Sequence, residues 1–395
     1  MSAAMSVAAA SASLPLRWRS PEAVKPFVKF LPVLRAAVAA APERADLKLR
    51  LVHALFRTGA VEEIVDRMRS AVADRDADAE LLTFVGRAAI AAEDHRLAAD
   101  ALRPAAAKGY ARALGYLAQA LHRLERADEA LAAGLKGLQR SPADFESLMV
   151  VARVLFDRGE VERLWALCDD LRARGARGTR LSAVLASAAA ALGRKDEVDA
   201  LVDPPGWFSA TQLAVLGHYN SRLAAELLAL RSTDNQMRID ELERLGGPMT
   251  QDLLSRIREA VQAYVAQRQD FSDHPMVRHR PEFVALHSWL IVIHHHQHHT
   301  WHIHQAGWIS GVYYVSVPKV EAGDDASPGA IEFGLFPFGR DGANPPGPRW
   351  RVMPQAGSLL LFPSYYAHRT WPTGIGDPRV CVAFDVRPFN APDVQ

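Results

Sequence analysis

Seven of the fifteen histidines fall between His294 and His304, and one residue separates His302 from His304. Imidazole is the commonest side-chain ligand for transition metals. On an extended chain residues i and i+2 point the same way, so a strand over Trp301–His304 would aim both rings at one face and Ile303 at the other. Two imidazoles make half of a metal site, and the remainder must come from elsewhere in the fold. The turn Pro354–Gly357 and the apolar run Ser358–Phe362 deliver His368 just beyond their end, and eleven residues later Arg379 opens the run Arg-Val-Cys-Val-Ala-Phe-Asp. Asp324 and Asp325 lie in an expected loop and are poorer candidates for the third ligand. His294, His295, His296, His298 and His299 read as a polar connection into the metal strand, with one of them available to support the site or meet a substrate. Trp308 and Trp371 are expected either to line a cleft or to fill the core.

These side chains need rigid elements to hold them. After about residue 270 the sequence turns rich in β-branched and aromatic residues, Gly and Pro. Strands are predicted over Ser288–Ile293, Trp301–His304, Ile309–Val317, Ala330–Gly334, Arg349–Met353, Ser358–Phe362 and Arg379–Val386. Many short strands with Pro/Gly turns point to a sandwich or barrel of jelly-roll type. In the last strand Arg379, Cys381, Ala383 and Asp385 share one face; Val380, Val382, Phe384 and Val386 share the other. Two helices, around Thr211–Leu230 and Thr250–Gln267, are expected to precede the strands.

The first half has a different pattern. From about Val28 to Val202 apolar residues recur at three- and four-residue spacing, the mark of amphipathic helices. Breaks at Gly59, Glu93, Glu125, Gly159 and Gly193 step by 34, 32, 34 and 34 residues, and Ala118, Ala152 and Ala186 keep the same 34-residue interval. This period of paired helices resembles the tetratricopeptide repeat family, which implies a solenoid whose groove binds a peptide or protein. The turn-forming Asp203-Pro204-Pro205-Gly206 marks the junction. The expected domains are a disordered lead-in over 1–27, helical repeats over 28–202 and a β-rich domain over 203–395.

Bulk properties exclude other classes. A formal net charge of +1 gives no electrostatic reason to expect nucleic acid or an anionic membrane as partner. Cys168 and Cys381 are the only cysteines, which argues against a disulfide framework and fits a cytoplasmic location. No run of about 18 apolar residues is present to span a membrane, and the N-terminal stretch lacks the basic segment and strong apolar run of a signal peptide.

Taken together, His-x-His, then Trp-Ile-Ser-Gly-Val-Tyr-Tyr-Val, then Gly-x-Leu-x-Leu-Phe-Pro-Ser, a later His and an Arg resemble the 2-oxoglutarate/iron(II) oxygenases distantly related to prolyl hydroxylases. The likeness covers roughly Leu253 to Pro388 and includes His274-Pro275, Arg280-Pro281 and Ser288-Trp289. It implies a double-stranded β-helix holding Fe(II) through His302, His304 and His368, with 2-oxoglutarate and O2 as cosubstrates; the repeat groove makes a peptide or protein side chain the expected substrate for hydroxylation. His304 stands where most of that superfamily has an aspartate, which lowers the negative charge on the metal. Arg379 matches the arginine that pairs with the distal carboxylate of 2-oxoglutarate. Tyr314 and Ser310 share a face of their strand and are expected to donate to that same carboxylate. The competing expectation is a non-catalytic scaffold whose repeats bind partners and whose barrel only holds metal.

Overall fold

The computed structural model describes residues 15–21, 25–74, 76–215, 217–233, 236–268, 273–294, 296–318, 329–339, 347–373 and 378–389. His295, Asp324 and Asp325 lie outside them. Two compact units emerge: Glu22–Ala176 with Phe338–Asp341, and Met1–Pro21 with Arg177–Pro337 and Gly342–Gln395.

The first unit is a stack of paired helices, among them Ala45–Arg57, Ala79–Ala91, His95–Ala107, Arg112–Arg123, Ala127–Arg140, Phe145–Asp157 and Val161–Ala173. Their apolar stripes meet in a continuous core in which Leu51, Leu55, Leu82, Leu102 and Leu155 are fully buried. Each sequence break is a helix end closed in one way. Gly59, Glu93, Glu125 and Gly159 take φ of 75°, 59°, 59° and 69°. In the first repeat the Gly59 N–H donates to Phe56 O and the Ala60 N–H to Leu55 O; the other three follow suit, down to Glu160 N–H on Leu155 O. That pair of bonds satisfies carbonyls the helix would otherwise leave open. Asp78, Asp94 and Asp144 cap the next helices by accepting from the N–H of Leu81, Leu97 and Ser147.

A fifth such end, Gly193 with φ 68°, follows helix Thr179–Ala191, but this helix and Lys195–Leu201 belong to the second unit. Polar anchors explain that membership. Thr179 Oγ1 donates to Gly307 O, Ser187 Oγ to Phe336 O at 3.0 Å, and Tyr365 Oη to Leu201 O at 2.5 Å. After the repeats the compact β-rich unit therefore resumes at Arg177, ahead of the Pro/Gly junction.

Among the described residues ten strands build the second unit: β1 (Arg17–Arg19), β2 (Ser209–Gln212), β3 (Arg238–Asp240), β4 (Phe283–Ile293), β5 (Ile309–Ser316), β6 (Ile331–Gly334), β7 (Trp350–Val352), β8 (Ser358–Pro363), β9 (Ala367–Thr370) and β10 (Arg379–Pro388). The larger sheet runs β1-β4-β10-β5-β8-β2, with β3 also on β4; the smaller runs β7-β6-β9. An antiparallel bridge between His302 and His368 extends the smaller sheet past β9. Phe333 of β6 meets Phe362 of β8 edge-on at 4.9 Å, so the two sheets close on an aromatic core. This is the expected double-stranded β-helix, and its central strands are buried on both faces.

Four expectations need correction. Residues 17–19 of the lead-in are ordered, pairing Arg17↔Phe283 through Arg19↔Ala285 in parallel with β4. The helix expected over 211–230 begins only at Tyr219, because Ser209–Gln212 pairs with β8 and sheet pairing outweighs local helical pattern. Trp301–His304 makes one bridge rather than a strand. His368 does lie just beyond β8, but inside β9, a strand absent from those expected.

Candidate metal centre

The anchor of the site is β9, because Phe333↔His368 pairing sets His368 firmly in the smaller sheet. Its neighbour segment is held to it by reciprocal backbone bonds, His302 N–H to His368 O at 3.1 Å and His368 N–H to His302 O at 3.0 Å. The His304 N–H then donates to Ser364 O at 3.0 Å, at the end of β8. Three rings converge as a result. Their centroids lie 4.2 Å apart for His302–His368, 5.0 Å for His304–His368 and 5.4 Å for His302–His304. One nitrogen from each lies within 4.8 Å of the others.

Hydrogen bonding decides which nitrogen that is. The acceptors at Nδ1 are Thr300 O for His302 at 2.8 Å, the Asp385 carboxylate for His304 at 2.5 Å and Tyr366 O for His368 at 3.1 Å. None of these groups can donate, so each Nδ1 carries a proton and Nε2 is the nitrogen left to face a metal. Burial reinforces this. It pushes the His302 pKa down to about 4, with His304 adding to the effect, and drives that of His368 well below the usual histidine value. Two of the rings are thus held neutral at pH 7, as metal ligation requires. The donor set fits a divalent transition metal with open positions.

Arg379 begins β10 and is 1% exposed. One Nη1–H donates to Gly329 O at 2.6 Å, while the buried Nε has no acceptor among the described residues. A buried guanidinium with an unmatched donor is costly unless an anion completes it. Tyr314, pairing with Cys381 two residues along β10, is fully buried near this arginine. Burial raises its hydroxyl above the ordinary tyrosine pKa, so it stays a donor. Ser310 does not join them. It stands four positions before Tyr314, about 13 Å along a strand, and its hydroxyl instead donates to Asp385 at 2.8 Å and meets Ser364 Oγ at 2.7 Å. The shared face was legible; the distance along it ruled out a common carboxylate.

Of the remaining histidines, His299 lies with its ring 5.7 Å from His302, and its N–H is tied to Thr370 Oγ1. Trp289 flanks His304 at 5.6 Å. Trp308 is core, its Nε1–H on Met276 O at 3.2 Å, whereas the half-buried Trp371 donates to Glu332 and lies under Arg351 and Arg369. Asp385 was overlooked as a functional residue, although it shares the Arg379 face.

Residues 287–385, which contain His302, His304, His368, Arg379, Tyr314 and Asp385, match the family described as "Putative 2OG-Fe(II) oxygenase". The β-rich unit carries a domain of that family. Among solved structures the chain is similar to a Pseudomonas putida prolyl-4-hydroxylase, at 16% identity over 47% of this chain and 95% of that one, with a TM-score of 0.32. It is also similar to MamA, at 20% identity over 34% and 79% with a TM-score of 0.31, and to Pseudomonas aeruginosa pilF, at 16% over 45% and 86% with a TM-score of 0.37. No curated protein matches the chain. No helix among the described residues is long and apolar enough to cross a membrane.

Proposed function

We propose that the chain is a 2-oxoglutarate- and O2-dependent Fe(II) oxygenase that hydroxylates a side chain of a peptide or protein. The observation that carries this reading is a pairing: three imidazoles that each bring a nitrogen within 4.8 Å of the others, and on the same barrel a buried Arg379 whose Nε lacks an acceptor among the described residues. Metal storage alone has no use for a buried guanidinium. His302, His304 and His368 would hold the iron, which with 2-oxoglutarate and O2 supplies oxidative decarboxylation to succinate coupled to oxidation of the substrate. Arg379 would bind the distal carboxylate through two parallel N–H donors, and Tyr314 would donate to the same group. The aromatic and aliphatic packing around them excludes water, which strengthens these polar contacts.

The repeat unit supports a macromolecular substrate. Arg87 lies over the rings of Phe56, Phe84 and Tyr116 at 4.2, 5.2 and 5.0 Å, on the first helices of three consecutive repeats. Such helices line the binding surface of a solenoid. Two measurements test the whole reading. Purified protein loaded with Fe(II) should consume O2 and release succinate only when 2-oxoglutarate is added; no stimulation sinks the oxygenase reading and leaves the scaffold. Incubation with fractionated lysate peptides should then give a product heavier by one oxygen. Replacing Phe84 and Arg87 together by Ser should reduce that product while uncoupled succinate release persists; unchanged product would remove the docking role.

A further inference from the structure

A histidine in place of the superfamily's aspartate leaves the metal with three neutral ligands, yet a carboxylate stands directly behind one of them. Asp385 is on β10, opposite Ser310 of β5 and His287 of β4. Its side chain is 4% exposed. Oδ1 accepts from His304 Nδ1 at 2.5 Å and from Ser310 Oγ at 2.8 Å, and Oδ2 accepts from Arg387 Nη2 at 3.1 Å. Because the Ser310 hydroxyl is spent on Asp385, the 2.7 Å contact with Ser364 has Ser364 Oγ as donor. Ser364 also accepts the His304 N–H through its carbonyl. The ring and the backbone of His304 are therefore held by one connected set of side chains.

The space around this set is as specific as its bonds. A Cβ on Gly307 would stand 2.3 Å from Ser364 Oγ and 3.2 Å from Ser310 Oγ, so the backbone passes where no side chain fits. Isolating a carboxylate from water is costly, and here it is offset by donors from His304, Ser310 and Arg387, the last two of which hold Asp385 against the imidazole.

We infer that Asp385 is the positioning residue for the metal: it fixes His304 as the Nδ1–H tautomer with Nε2 facing the site, and supplies through the imidazole the negative charge that an aspartate ligand would have placed on the metal directly. The inference rests on the reading of His302, His304 and His368 as the ligands, but not on turnover. A carboxylate hydrogen-bonded to a ligating imidazole orients the ring and raises its basicity. Ser310, Ser364 and Arg387 act one step further out, by keeping the carboxylate in place.

The test uses the full chain, with Co(II) as the probe metal. Competition against a chelator gives the dissociation constant, and the visible absorption of the bound Co(II) reports the ligand set. Asp385→Asn keeps the shape and removes the charge. It should weaken Co(II) binding roughly 10- to 100-fold and alter the spectrum, with the thermal midpoint reported alongside. In a His304→Ala background the same substitution should add nothing further. Equal loss in both backgrounds would overturn the inference, because Asp385 would then act on the fold and not through His304; unchanged affinity and spectrum in Asp385→Asn would overturn it too. Should that variant fail to fold, Ser310→Ala keeps the strands and should shift the spectrum in the same direction with a smaller loss of affinity, and no change would again overturn the claim. Failure of the wild type to decarboxylate 2-oxoglutarate, with these metal results standing, would remove the proposed function alone.

Discussion

The two units bury different things. In the repeat unit the buried polar side chains among the described residues are Thr83 and Ser147, each tied to its own helix. In the β-rich unit they include Arg180, Arg268, Glu332, His368, Arg379 and Asp385. Charged groups of the repeats stay at the surface in pairs such as Arg163–Glu160. Burying charge is expensive unless partners are built for it. A solenoid stabilised by apolar packing between neighbours has no need of it. A site that must hold ionic ligands does, so the contrast separates what holds the molecule together from what it can do.

The largest effect should come from the trio. His368→Ala should weaken metal binding by more than about 100-fold, beyond the range typical for residues one step removed from a metal, and stop 2-oxoglutarate turnover; chelator competition measures it, and near-native affinity would return His368 to a structural role. Arg379→Ala should raise the 2-oxoglutarate requirement at least about 30-fold, as one side of a buried charged pair is worth about 2–5 kcal/mol. Metal affinity should hardly move, and Arg379→Lys should recover only part, which a titration of both variants reads directly. Leu155→Ala inverts the pattern. It removes a fully buried residue from the repeats, so about 2–5 kcal/mol of stability should be lost in denaturant unfolding with metal affinity unchanged.

Acid should act on the β-rich unit through His274. Burial pushes its pKa from 6.5 down to about 4, its ring stacks on Trp207 at 4.0 Å, and its Nδ1 accepts the Met276 N–H. Above pH 6.5 the folded and unfolded forms are both neutral there. As pH falls from about 6.5 toward 4 the unfolded form takes up the proton first, so stability drops, by on the order of 2–3 kcal/mol at pH 4. Unfolding followed by tryptophan fluorescence should show this, and His274→Phe should make the loss shallower by that share, leaving the part due to the other buried histidines. The smallest effect belongs to the repeat surface. Arg163→Ala should cost no more than about 0.5 kcal/mol, and a larger loss would mean that exposed pairs there matter more than the contrast allows.

Much of this was legible because it is local. The helix-closing residues Gly59, Glu93, Glu125 and Gly159 could be aligned by eye, since one backbone conformation recurs at one interval. The pairing of His302 with His304 followed from their spacing, and His368 joined them through the family resemblance. What escaped depends on register. Asp385 reaches His304 only because β10 and β5 pair Asp385↔Ser310, a fact no single segment carries. β9 escaped because Ala-His-Arg-Thr has no alternating apolar pattern, and its pairing with β6 makes it a strand. β1, β2 and β3 are three or four residues long and exist through the strands they border.

β1 also bears on how the chain reaches its native form. Arg17 pairs with Phe283, so the first strand has no partner until the ribosome has passed the whole repeat region. The repeats, with contacts mostly between neighbours, can condense during synthesis, and the barrel must close afterwards around an N-terminal segment that has been waiting. Until then the outer edge of β4, later shared by β1 at residues 283–285 and β3 at 289–291, is an open template for other chains. Bulky fusions placed directly ahead of Leu16 should therefore reduce the yield of soluble protein more than equal fusions elsewhere on the surface, through misassembly in the nascent chain and not through any loss of finished stability.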